Sequence, residues 1–541
     1  MKKIVLFITL LFIAQLFFGQ EEISNEKIQI GIPYPVVDAS SKQYFRYKDL
    51  ILGVKVRDRR GGVTYTLQTY SSNKLTLEKL KIYDDFPKWF VQESIIKLND
   101  RIFLFFSVWD KPRGVEQLFV REFDVENASF KDAPKLILEV DGKVAGTSMN
   151  YRVYNKYDFY TSFDESKLLI QYRRKPKTKK DSKNKDVIGY KVFDGNIELL
   201  HGSEVEMPYT EKKMNNLDYA VDNSGDFYIA AKVYRDNSTK NNVTKKTVGY
   251  DKKEINYDIE IMTVSADGVF SQKKIELESG KHISSLRLFE AGDGRIISAG
   301  YYSSGGKKGN DFSDVNGVFK FNLTKGDDAF RIDYYDIPLE IINQNRREKA
   351  VKKSKKKEKE KEGGVALSNL DPKTFFIHSD GSIVLIGEQF YITTHTYTDS
   401  KGNTRTTTTY HYNDVLITKI NKDGSLAYMK KMAKRQTNGL SSFKLVEGKD
   451  DLYLIYRDNI RNLELDLVDV PARGGKFLTA YKINYNTGET SKISLFDYRV
   501  VKGLKIYQFA LSRIISTTDD EFVFEVYKKK KEDILIKVEL K

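Results

Sequence analysis

What most constrains this chain is a short unit that recurs along it, a tight turn followed by a run of consecutive apolar residues. The clearest copy is Thr374 to Met432. Thr374-Phe375-Phe376-Ile377-His378 reads as a strand, Ser379-Asp380-Gly381 as a turn, and Ser382 to Gly387 as a second strand. After an insertion, Asp414 to Ile420 is a third strand, Asn421-Lys422-Asp423-Gly424 another turn, and Ser425 to Met429 a fourth strand. Asp-Gly suits such hairpins because glycine takes a positive φ without strain and aspartate tolerates it. The second strand is apolar at successive positions, so both of its faces should be buried. A strand with one wet face would alternate instead.

The pattern returns. Second strands follow turns at Asp100 (Ile102 to Phe106), Glu165 (Leu168 to Ile170), Gly225 (Phe227 to Ala230), Gly294 (Ile296 to Ala299), Asp450 (Leu452 to Ile455) and Asp520 (Phe522 to Phe524). An earlier copy is Leu50 to Val54. Third-to-fourth turns recur at Asp194-Gly195, Asp267-Gly268, Lys325-Gly326, Asp423-Gly424 and Thr487-Gly488. A repeated four-stranded unit with a dry second strand describes a propeller blade held between its neighbours. The last repeat ends at its third strand, Asp533 to Leu540, while the extended segment Lys27 to Tyr34 precedes the first repeat. That segment is expected to complete the final blade and close the ring, which removes exposed sheet edges. The expectation is therefore an all-β chain folded as a single β-propeller of eight blades, each of four antiparallel strands. Seven blades is the close alternative, and separate β-sandwiches the other.

Asp380-Gly381-Ser382-Ile383-Val384-Leu385-Ile386-Gly387, followed by Asn413 to Leu416 and Asn421 to Leu426, resembles bacterial β-propeller repeats of the Asp-Gly-hydrophobic-Gly type. The close match covers one blade, and the resemblance implies the fold far better than any activity. The signatures of WD, kelch and sialidase-type repeats are missing. With only Trp89 and Trp109, so is the tryptophan docking ring of quinone-dependent propeller dehydrogenases. No cofactor is expected.

At the N-terminus, Lys2 and Lys3 precede the apolar run Ile4 to Phe18, and Gly19-Gln20 leads into Glu21-Glu22. This reads as a secretory signal peptide, residues 1–20, ahead of a mature propeller over 21–541. The run is too short for the ~20 residues that span a bilayer, and no transmembrane segment is expected in the mature chain. The sequence has no cysteine, which suits a bacterial periplasm or exterior better than a eukaryotic secretory route.

The long inserts share one address. In a propeller, loops from second to third strands and from each blade to the next emerge on one face. Those connections hold Lys175 to Lys185, Asn237 to Asp251, Ser303 to Asp314, Thr393 to Tyr412, Asp458 to Gly475 and the Lys/Glu-rich tract Arg346 to Glu362. That tract has almost nothing apolar to bury, so it is expected as a mobile loop or a frayed, solvated helix. Two inserts are strongly basic in a chain of formal charge +15, one carrying Arg173, Arg174, Lys177, Lys179 and Lys180, the other Lys355, Lys356 and Lys357. They read either as solubilising loops or as an attractor for an anionic polysaccharide, an envelope component or a protein. An exported location argues against nucleic acid as the partner.

Thr393 to Tyr412 reads as a protruding hairpin turning at Asp399 to Asn403, with Tyr397 and Tyr410 as contact residues. If Thr398 pairs with Thr404, His395 opposes Thr407, and His395 and His411 stand roughly 14 Å apart, too far for one metal ion. Gly305-Gly306-Lys307-Lys308 lacks the ending of a phosphate loop, Gly146 to Asn150 lacks the last glycine of a nucleophile elbow, and Asp311, Asp314, Asn316 and Gly317 have the wrong spacing for calcium. Asp222, Asp226, Asp293 and Glu388 are carboxylates that ring closure would have to bring together for a glycoside hydrolase or lyase. The expectation is a binding or scaffold propeller, with a carbohydrate-active enzyme as the alternative.

Overall fold

The structure, a computed structural model, describes residues 27–59, 62–87, 89–149, 152–176, 178, 180–247, 250–292, 294–304, 314–323, 330–359, 365–438 and 442–540. The signal peptide expected over 1–20 lies outside them. The described residues divide into two compact units, one lying within 37–71 and 77–433, the other within 27–36, 72–76 and 434–540.

Among the described residues, the larger unit has six antiparallel sheets that each contain a meander of four strands in chain order, with short two-stranded sheets beside them, and the second adds Ser129–Phe130 as a fifth strand. The first runs Ser41–Tyr47, Leu50–Arg59, Gly62–Ser71, Leu77–Tyr83, and the second Val91–Leu98, Arg101–Asp110, Val115–Asp124, Lys135–Asp141. The third is Tyr157–Thr161, Lys167–Arg173, Lys185–Asp194, Leu199–Thr210, and the fourth Met214–Val221, Phe227–Tyr234, Tyr257–Val264, Phe270–Ile275. The fifth is His282–Glu290, Ile296–Ser303, Gly317–Leu323, Ile332–Asp336, and the sixth Leu370–Ile377, Ile383–Thr398, Thr404–Ile420, Leu426–Met432. The smaller unit holds a seventh sheet, Lys444–Glu447, Asp451–Asp458, Phe477–Asn484, Thr490–Asp497, and an eighth, Ile514–Thr518, Glu521–Tyr527, Glu532–Glu539. The eighth takes its fourth strand from the N-terminus, where Ile28–Ile30 pairs antiparallel with Glu532–Glu539, setting Ile28 opposite Val538. Tyr34 then donates its hydroxyl to the buried Glu525 carboxylate at 2.7 Å, which anchors that segment.

Every second strand coincides with an apolar run read from the sequence, and the period of two explains why it is dry on both sides. In the second sheet, Leu104 and Phe106 pack with the first sheet, whereas Phe103 and Phe105 pack with the third. Leu168 and Ile170 of the third sheet join that second cluster, while Leu169 faces the fourth. Ile297, Ala299 and Tyr301 of the fifth meet the sixth, and Ile296 and Tyr302 meet the fourth. In the smaller unit Tyr453 and Ile455 share one cluster with Phe522 and Phe524. Each unit is thus a face-to-face stack.

The turns of the clearest repeat follow the expected chemistry, whereas at Asp194-Gly195 the positive φ falls on Ile197, at 61°, and Lys325-Gly326 lies outside the described residues. Gly381 and Gly424 have φ of 80° and 91°. Asp380 accepts the Ser382 N–H at 2.8 Å, and Lys419 lies 3.0 Å from its other oxygen. Burial opposes the charge on Asp380, but hydrogen bonds from Ser382, Lys419 and His378 hold its carboxyl well below the usual range. Where no glycine was available, Asp100, Glu165 and Asp520 themselves take positive φ, at 58°, 54° and 60°.

The connection from fifth to sixth sheet carries two helices, Leu339–Asn343 and Glu348–Lys359. Among the described residues, no helix is long and apolar enough to cross a membrane.

Candidate functional site

In an antiparallel meander, the second-to-third connection and the link to the next sheet leave from one end, and the other two turns from the opposite end. Each long insert leaves from the first of these ends. In the fourth sheet it forms a hairpin, Asn242–Thr247 with Tyr250–Ile255. In the sixth the strands themselves run on as a ribbon, and in the seventh the insert begins with a 3-10 turn, Ile460–Asn462. That turn is clamped by Asp458, which accepts the Asn462 amide at 2.7 Å and lies 3.0 Å from the Lys492 ammonium.

The basic residues separate into two kinds. Arg173 lies 2.5 Å from the buried Asp186 and 3.8 Å from Glu211, and Arg174 donates to Glu204 at 2.7 Å and to the Asp141 carbonyl. Both arginines are neutralised by their own sheet neighbourhood. Lys180, Lys355 and Lys356 are exposed. Lys177, Lys179 and the side chain of Lys357 lie outside the described residues.

The ribbon has the register expected of it, with Thr398 opposite Thr404 and His395 opposite Thr407, and Tyr391 opposite His411. His411 stacks on the Tyr391 ring at 4.4 Å and lies 2.9 Å from the Thr393 hydroxyl. Tyr397 and Tyr410 are 51% and 43% exposed. Because Tyr410 pairs with Ile392, five positions from Tyr397, the two tyrosines point to opposite faces of the ribbon. No single flat ligand touches both. Among the described residues, no three His, Asp or Glu side chains converge as a metal site.

At the insert-bearing end of the fourth to sixth sheets an open cleft of about 430 Å³ is lined by Asn241, Asn242, Ser284, Ser285, Asn369, Asp371 and Phe390, with Val315, Leu370 and Pro372. Asp371 is the one carboxylate in that lining and is 2.9 Å from the Lys373 ammonium. Glu388, fully buried, lies 3.7 Å from the same ammonium. Asp222 and Asp226 sit at the other end of the fourth sheet. Asp222 accepts the Tyr228 hydroxyl at 2.9 Å, and Asp226 accepts the Ala266 N–H at 2.8 Å, so both close turns. Asp293 lies outside the described residues, as do Gly305 to Lys308 and Asp311.

One cluster escaped the sequence. Glu93 is the extra residue of a bulge in the second sheet's first strand. It accepts the Ser107 hydroxyl at 2.5 Å and the Lys156 N–H at 3.1 Å. The Lys156 ammonium lies 2.7 Å from Glu116 and 3.5 Å from Glu93, with all three side chains buried. Burial pushes the Glu93 carboxyl up despite Lys156, and pushes the neighbouring Tyr157 phenol well up. The three residues carry no motif; only sheet stacking brings them together.

Four-stranded antiparallel meanders stacked face to face within each unit, with the long inserts leaving from the same end of each sheet that carries one, define an all-β protein of propeller-like architecture. No protein-family model matches the chain, and no curated protein matches it. Among solved structures it is similar to a prolyl endopeptidase, at 9% identity over 94% of this chain and 55% of that one, with a TM-score of 0.39. An acylaminoacyl peptidase from Pyrococcus horikoshii is 11% identical over 94% of this chain and 59% of that one, at a TM-score of 0.35. The WD40 domain of SCAP from fission yeast is 8% identical over 96% and 99%, at 0.36. The chain thus spans less than two thirds of the peptidases' length, and none of these likenesses bears on activity.

Proposed function

We propose that this is an exported, non-enzymatic binding or scaffold propeller of bacterial origin whose insert-bearing end docks an anionic glycan, envelope surface or protein. The observation that carries it is that, within each sheet bearing one, the long insert leaves from the same end, because recognition is commonly built on loops held by a rigid scaffold. The export reading rests on the N-terminal apolar run and the lack of cysteine. The eight sheets form, in this proposal, one ring closed by Ile28–Ile30, supported by the face-to-face stacking within each unit. The exposed lysines supply most of the attraction, while Arg173 and Arg174 also engage Asp186 and Glu204. A carbohydrate-active enzyme needs two carboxylates across a cleft, and Asp371 stands alone in the cleft described. The test compares wild type with a variant carrying Lys177→Glu, Lys179→Glu, Lys180→Glu, Lys355→Glu, Lys356→Glu and Lys357→Glu on immobilised anionic envelope polysaccharide. Wild type should be retained at low salt and released at high salt, and the variant should elute early. Equal, salt-insensitive retention of both proteins would overturn the docking role of the lysines.

A further inference from the structure

The ribbon of the sixth sheet is built in a way that exposed strands usually avoid. Natural edge strands are guarded by charge, proline or bulges because their free backbone groups template pairing with another chain. Tyr391 to Thr398 has none of these guards. It contains no Asp, Glu, Lys, Arg or Pro, in a chain with 30% charged residues. Its register is unbroken from Phe390 opposite Tyr412 to Thr398 opposite Thr404. The sheet's first strand stops pairing at Gln389, so from Tyr391 onward the outer side of this strand has no third strand among the described residues. Thr394 to Thr398 is exposed throughout.

The direction of the free groups follows from the turn. Asp399 N–H donates to the Asn403 carbonyl at 3.0 Å, so that pair is hydrogen-bonded. Antiparallel pairs alternate between bonded and non-bonded. Hence Thr398, Thr396, Thr394 and Ile392 occupy non-bonded pairs, and both their N–H and C=O groups point outward.

We propose that this edge pairs antiparallel with the same edge of a second copy of the chain, about a two-fold axis at His395. That register sets Thr394 against Thr396 and Ile392 against Thr398 of the other copy, each through outward-pointing groups, and sets His395 against its own counterpart. It is an isologous contact, which closes on itself as a dimer. A second copy is the fitting occupant for two reasons. The opposing strand brings no charge to repel, whereas the ribbon's other strand carries Arg405. The geometry also keeps the two basic bodies apart, because the copies' Phe390 residues stand about ten strand positions, roughly 34 Å, from each other. That is several times the ~8 Å Debye length at physiological salt. This pairing goes beyond the docking role of the lysines and leaves the ribbon faces bearing Tyr397 and Tyr410 open.

The chain lacks cysteine, so one introduced thiol reports the contact cleanly. His395→Cys, at a close non-bonded pair on the axis, should form a covalent dimer on mild oxidation far faster than Ser400→Cys at the ribbon tip. Thr396→Pro removes an outward N–H without touching the ribbon's own ladder. It should sediment as a monomer with unchanged melting, while wild type sediments as a dimer. Wild type that sediments as a monomer at the highest attainable concentration overturns the proposal. So does cross-linking at position 395 no faster than at 400.

Discussion

Lys156 is shared by two buried carboxylates, Glu93 and Glu116. Replacing it by methionine leaves Glu93 and Glu116 facing each other without a counter-charge. The expected cost is about 3–5 kcal/mol at neutral pH, read from urea unfolding. Glu93 behaves differently, because its carboxyl is pushed up by burial. A raised acid contributes stability below its unfolded pKa and loses that contribution as pH rises through the folded pKa. Glu93→Gln should therefore gain on wild type as pH rises from the ordinary carboxylate range, about 4, toward the raised folded pKa of Glu93. A stability difference that stays constant across that range would show that Glu93 carries no such linkage. In the sequence these residues are unremarked polar positions near strand ends. Glu93 and Lys156 lie far apart along the chain, and nothing local distinguishes Lys156 from the many solvated lysines.

At the scale of elements, the ribbon was legible because its turn is chemically explicit. Asp399 accepts the N–H groups of Lys401 and Asn403 at 2.9 and 3.0 Å, which fixes the register for both strands. Boundaries were less legible. The sixth sheet begins at Leu370, ahead of the expected Thr374, because a bulge between Pro372 and Thr374 lets the strand continue through the proline. The Lys/Glu-rich tract is a helix over Glu348–Lys359, and it is not uniformly solvated. Ser354 is buried, donates to the Ala350 carbonyl at 2.9 Å and receives Arg346 at 3.3 Å. The tract should therefore divide at this residue. Replacing Lys355 to Glu362 with a Gly/Ser linker should leave the melting temperature nearly unchanged and remove the preferred trypsin sites. Extending the replacement back to Arg346 should lower it measurably. A large drop from the shorter replacement would mean that the lysine-rich end packs as structure.

At the scale of the whole molecule, the N-terminal strand is decisive. Without Ile28–Ile30 the strand Glu532–Glu539 would present a bare edge, and the buried Glu525 would lose the Tyr34 hydroxyl. If the sheets form one ring, removing Tyr507 to Lys541 should unfold the entire chain in calorimetry, since each sheet is dry only when covered on both sides. A stable, sharply melting remainder would instead mean that the unit holding residues 77–433 folds by itself.

The sequence alone determined the dry second strands, most of the tight turns and the end of each sheet from which its insert leaves. These depend on periodicity and turn chemistry over a few adjacent residues, which local composition encodes. Tertiary structure decided which charges are spent. Arg173 and Arg174 look like their lysine neighbours in the sequence, yet Asp186 and Glu204 claim them. Tyr397 and Tyr410 look like partners, yet the pleat sends them to opposite faces. Asp222 and Asp226 look available for chemistry, yet they close a turn away from the cleft. Each of those outcomes turns on which strands come to lie side by side and which face each side chain takes, and only the assembled sheets set that.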